Sequence, residues 1–132
     1  MRFEYLFEFT EVKTEYMKNI LSKTFKLLSK SVELDALFFG PLCEGPTISG
    51  EAAEVTEEGL INLDSYKLQE YDEDVAMAII AHEIAHYNLG HYDDINMNQN
   101  SLNNEQEADD LAKSWGFDIE KFRSICGPAT LK

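Results

Sequence analysis

Cysteine is scarce in this chain: Cys43 and Cys126 are the only two, they lie far apart, and neither belongs to a CxxC pair. A disulfide framework or a thiolate zinc site is therefore not expected, and both read as ordinary reduced cysteines. Uninterrupted apolar runs are short, and none reaches the ~18 residues that a membrane span requires. Basic residues are also few, 11 Lys and Arg against 25 Asp and Glu, for a formal net charge of −14. Phosphate recognition depends on clustered Lys and Arg, so this balance argues against nucleic acid as a partner. Repeats, linkers and low-complexity tracts are absent. The opening "MRFEYLFEFTEVK" carries acids inside its apolar run and has no small-residue cleavage site, so it does not read as a secretory signal. For a chain of 132 residues the expectation is one soluble, cytoplasmic domain with one site.

The charge is unevenly spread. Residues 1–31 carry six Lys or Arg against four acids, whereas residues 32–132 carry five against 21. The basic excess, Lys18, Lys23, Lys26 and Lys30, reads as the solvated face of a first helix. "FEYLFEF", residues 3–9, alternates Phe3, Tyr5, Phe7 and Phe9 with Glu4 and Glu8, the period of a half-buried strand. From Thr10, a candidate N-cap, to about Lys30, Val12, Tyr16, Ile20 and Leu27 recur at helical spacing, widened by Met17, Leu21, Phe25 and Leu28. The short runs "ALFFG" and "GLINLD", with a weak strand near Thr47–Val55, predict a small mixed or antiparallel sheet. Asp72 or Asp74 caps the next predicted helix and Gly90 ends it. After the polar "YDDINMNQNS", a helix from about Leu102 to Trp115 stops at Gly116, and Asp118 caps a short last one. The predicted fold class is α+β.

Within this frame, "VAMAIIAHEIAHYNLGHY", residues 75–92, holds every histidine of the chain, His82, His86 and His91. Positions i and i+4 lie one turn apart on one helix face, so His82 and His86 can aim two imidazole nitrogens at one point, a geometry zinc accepts. Glu83 is ~100° around the helix from His82, beside such an ion, where a carboxylate can take a proton from water. The competing reading is a core helix whose histidines are merely hydrogen-bonded. A catalytic zinc usually has three protein ligands, and "NNEQEADDLAKSWGF" on the next predicted helix offers a third in Glu105, with Asp109 four residues on. Glu107 is a rival, but ~200° around the helix from Glu105, so only one of them can face the site. Ala108, Leu111, Ala112 and Trp115 read as the core stripe of that helix.

His82, Glu83 and His86 together with "NEQEAD" resemble the gluzincin metallopeptidases, which pair HExxH with a glutamate ligand on a downstream helix. The second element looks like the ExxAD of HtpX-type and CAAX prenyl endopeptidases and the NExxSD of the thermolysin family. HtpX-type enzymes are embedded in membranes and this chain has no span, so the closer likeness is to the small soluble minigluzincins. ImmA-type antirepressor proteases are less close. The resemblance covers residues 75–117 and implies His82, His86 and Glu105 as Zn2+ ligands, Glu83 as general base, and Asp109 as the carboxylate that holds a ligand histidine. It further implies a peptide or protein substrate lying along a sheet edge, for which "GLINLD" is the candidate.

His91, five residues after His86, breaks the HExxHxxGxxH spacing of metzincins, and Asp93 and Asp94 read as a solvated loop. An oxyanion donor is offered by Tyr87, His91, Tyr92 and Arg123 without a choice among them. Two other functions stay open: a non-catalytic domain that keeps its metal for stability or partner binding, and a latent, self-inhibited peptidase.

Overall fold

The computed structural model describes residues 12–32, 42–56, 59–90 and 102–127. The expected strand at residues 3–9, "ALFFG", the Thr10 cap, His91, Tyr92, Asp93 and Asp94 lie outside the described residues. What is described is α+β: five helices and a three-stranded mixed sheet. No helix among the described residues is long and apolar enough to cross a membrane.

Helix α1 spans Glu15–Leu28, and its cap is Thr14, whose hydroxyl accepts from Met17 N at 3.1 Å. The helix thus starts later than the apolar spacing suggested. Its buried face is Met17, Ile20, Leu21, Thr24, Phe25 and Leu28, the i, i+3/i+4, i+7 stripe of a helix lying on a core. The start is set by a distant acid. Glu44, at the end of strand β1 (Leu42–Glu44), accepts from Lys13 N at 2.7 Å, Thr14 N at 3.0 Å and the Thr14 hydroxyl at 2.8 Å. It thereby satisfies two backbone N–H groups just ahead of the first turn.

Strands β2 (Ala53–Val55) and β3 (Ile61–Leu63) complete the sheet in the order β1-β3-β2. β1 runs parallel to β3 with Leu42 opposite Ile61, and β2 runs antiparallel with Ala53 opposite Leu63. "GLINLD" is therefore the central strand, which corrects its assignment to the edge. Ile61 and Leu63 are fully buried, Asn62 between them donates to Glu54 of β2 at 2.9 Å, and β1 and β2 pair with the two flanks of β3. Among the described residues the edge strand that packs on the histidine-bearing helix is β2. A short helix α2 (Ser65–Leu68), which the sequence pattern did not suggest, follows β3 and is capped by the Asp64 carboxylate on Tyr66 N and Lys67 N.

Helix α3 (Glu73–Asn88) is the centre of the molecule, and every residue from Val75 to His86 except the half-buried Met77 is buried. A helix apolar nearly all round must be covered on every side. α1, β2 and β3 cover it, together with α4 (Leu102–Ser114) and α5 (Ile119–Cys126). Asp72 occupies the N-cap without a side-chain cap bond, while Asp74 accepts from Val75 N at 2.9 Å and Lys121 of α5 pairs with both acids. Gly90 ends the helix at φ +77°, a left-handed conformation that side chains resist. Of the expected α4 stripe, Ala108, Ala112 and Trp115 are buried and Leu111 is half-buried.

The α1 cap yields a test. Burial pushes the Glu44 carboxyl up, but bonds from Thr14 and Lys13 more than reverse this and hold it below its ordinary 4.5. Its stabilisation is therefore complete above pH 4.5 and is lost as pH falls through the lower folded value. Glu44→Ala is expected to cost ~1–3 kcal/mol in urea unfolding at pH 7, and clearly less at pH 3. A cost that is the same at both pH values would contradict this account.

Candidate metal centre

The i, i+4 spacing on α3 places the rings of His82 and His86 edge to face, centroids 4.5 Å apart, with 3% and 8% of each residue exposed. Both Nε2 atoms face Glu105 of α4. His86 Nε2 lies 2.8 Å from Glu105 Oε2, and His82 Nε2 lies 3.5 Å from Oε1. One donor atom from each of the three residues falls within 4.8 Å of the others, so the group could hold a metal ion. For bonds of ~2.0–2.1 Å the edge of a coordination tetrahedron is ~3.3 Å, which the two observed separations bracket. Two imidazoles and one carboxylate are a donor set that suits such an ion, so the residues present fit it.

Charge is concentrated here. Burial draws the His82 pKa down, but Asp109, Glu105 and Glu83 outweigh this and raise it from 6.5 to about 9. Burial pushes the Glu105 carboxyl up, yet hydrogen bonds from His82 and His86 reverse this and hold it well below the usual carboxylate range. Glu107, the rival candidate, is exposed on the far side of α4. Asp109 sits one turn after Glu105, its Oδ1 2.8 Å from His82 Nδ1, although the approach is not aligned as a regular hydrogen bond. Arg123 of α5 bonds the same carboxylate. Burial raises the Asp109 pKa, but the adjacent His82 and Arg123 bring it below its ordinary value.

Glu83 stands beside the triad, its Oε2 3.9 Å from His82 Nε2, with 8% of the residue exposed. It opens, with His82 and Glu105, onto a cleft of about 460 Å³ walled by Ala53 of β2 and by Phe122 and Arg123 of α5. Tyr87 is not among the residues lining this cleft, whereas Arg123 is. Tyr71, just ahead of α3, also lines it and had no sequence signal, since it lies in a turn outside every periodic stretch. The structural role of Arg123 had a faint one: it is the only arginine after Arg2, in a chain whose other cations are lysines. Comparison of the chain with models of protein families, with curated proteins and with solved structures finds no match.

Two expectations follow. Because the neighbouring acids raise the His82 pKa to about 9 in metal-free protein, a bound ion would displace its proton, and affinity should rise by up to ~tenfold per pH unit below about pH 9. Calorimetric titration in buffers of different ionisation enthalpy would read the proton release, and a pH-independent affinity would contradict it. Among variants, Glu105→Ala should largely abolish metal binding, Asp109→Ala should weaken it ~10 to 100-fold, and Glu107→Ala should leave it unchanged. Loss in Glu107→Ala with retention in Glu105→Ala would refute the helix register.

Proposed function

We propose that this chain is a zinc-dependent endopeptidase of the gluzincin type, with His82, His86 and Glu105 as zinc ligands and Glu83 as general base. The observation that carries the reading is the Glu83 carboxylate held beside the triad, inside the cleft, without being one of its three convergent donors. A site that served only stability would have no use for an acid there. Bound zinc supplies Lewis acidity toward a carbonyl and brings the pKa of water to ~7. Glu83 takes the proton of the attacking water and delivers it to the leaving amine. Its small exposure keeps bulk water from competing for that proton.

The substrate is an extended peptide lying along β2. Asp64 N donates to Ala52 O and Thr56 N to Leu60 O, so residues 52 and 56 turn their backbone groups toward β3. By strand alternation Ala53 and Val55 present theirs on the opposite edge, and Ala53 borders the cleft beside His82 and Glu83. Backbone pairing there holds the scissile bond over the histidines. The cleft walls include Glu51 and Glu70 as well as Glu83 and Glu105. Lys67, on Gly50 O, and Arg123, on Asp109, line the same cleft. The excess of acids over residues 32–132, 21 against five Lys or Arg, favours uncharged or basic segments. Cys43 and Cys126 are not joined in a disulfide, which suits a reducing cytoplasm.

Glu83→Gln should bind zinc as tightly as the parent and lose hydrolysis of a peptide library by ~10² to 10⁴-fold, because an amide cannot accept the water proton. Undiminished cleavage by this variant would remove Glu83 from the reaction. A parent that binds zinc but cleaves nothing would favour the non-catalytic reading.

A further inference from the structure

Helix α5 meets the candidate metal centre through two adjacent residues. Arg123 grips Asp109 with a fork, Nε to Oδ2 at 2.7 Å and Nη2 to Oδ1 at 2.8 Å, and the same Oδ1 lies 2.8 Å from His82 Nδ1. The Arg123 guanidinium sits 4.4 Å over the Phe122 ring, and Phe122 in turn packs edge-on against the His82 ring at 5.7 Å between centroids. The two contacts approach His82 by separate routes, one through its Nδ1 and one through its ring. A carboxylate left on its own rotates about two soft torsions, whereas a planar two-point fork allows it one orientation.

We propose that Arg123 is a positioning residue of the metal centre: by locking the Asp109 carboxylate it directs His82 Nδ1 to that acid and Nε2 to the metal, so that docking of α5 and metal binding are coupled. The inference rests on the reading of His82, His86 and Glu105 as a metal site. It assigns Arg123 a task separate from the oxyanion donation its sequence position allowed, carried by the Nε and Nη2 bonds to Asp109. It also makes α5 part of the centre, although that helix carries none of the three ligands. By reciprocity, an ion that fixes His82 also stabilises the Asp109–Arg123 contact and with it the packing of α5.

The test is zinc affinity by chelator competition in the full chain, with the cobalt(II) visible spectrum as a report on ligand geometry. Arg123→Ala should bind zinc ~10 to 100-fold more weakly, with an altered cobalt spectrum, while its metal-free circular dichroism stays that of the parent. Arg123→Lys keeps the charge without the fork and should recover only part of the affinity; it also serves the comparison where the alanine variant fails to fold. In an Asp109→Ala background, Arg123→Ala should cause a much smaller loss than in the parent, because the arginine acts chiefly through that acid, its Nη2 lying 3.9 Å from Glu105 Oε1. Zinc should slow amide exchange across residues 119–126 in the parent and much less in Arg123→Ala. Equal affinity in parent and Arg123→Ala, full recovery in Arg123→Lys, or the same loss in both backgrounds would overturn the inference while leaving the metal site intact. A parent that takes up no zinc would overturn the metal reading and this inference with it.

Discussion

Glu105 is a carboxylate with 4% of its surface exposed, enclosed between two buried imidazoles at the seam of α3 and α4. An isolated charge in such a place costs several kcal/mol, and the two facing imidazoles offset that cost. Other features can be traced to this requirement. α3 is covered by the sheet, α1, α4 and α5, apart from the cleft onto which His82 and Glu83 open. Ala108 and Ala112, on the buried face of α4 with Glu105, keep that face slim, so the helix can approach closely enough for a carboxylate to reach both rings.

Outward from that seam, the polar groups form layers of decreasing burial. Glu105 touches both histidines; Asp109, one turn along the same helix, touches only His82; Arg123 holds Asp109 from a third helix. Each layer limits the orientations of the one inside it, a general property of metal centres whose ligands must be directed as well as present. Glu83 borders this group on the cleft side, 3.9 Å from His82 Nε2, so that under the proposed function one helix turn would both hold an ion and handle a proton.

Much of this arrangement was legible because it is local. The i, i+4 spacing of His82 and His86 and the 200° between Glu105 and Glu107 are each set within one helix, so the pattern alone placed the two histidines on one face and Glu105 away from Glu107. The α+β class, the Gly90 stop and the Asp118 cap were legible for the same reason. What escaped depends on partners distant in sequence. Whether Ile61–Leu63 is central or at the edge is decided by which strands flank it, and a three-residue run carries no mark of that. Thr14 is the α1 cap because Glu44, 30 residues away, meets it there. The role of Arg123 depends on α5 folding back over α4, and α2 is too short to leave a periodic signal.

The account stands or falls on the identity and ligands of the bound ion. X-ray absorption at the zinc edge of protein purified without added metal addresses both directly. The account expects about one zinc per chain, two imidazole scatterers and nitrogen or oxygen neighbours at ~2.0–2.1 Å. No zinc, or sulfur neighbours at ~2.3 Å from Cys43 or Cys126, would contradict it.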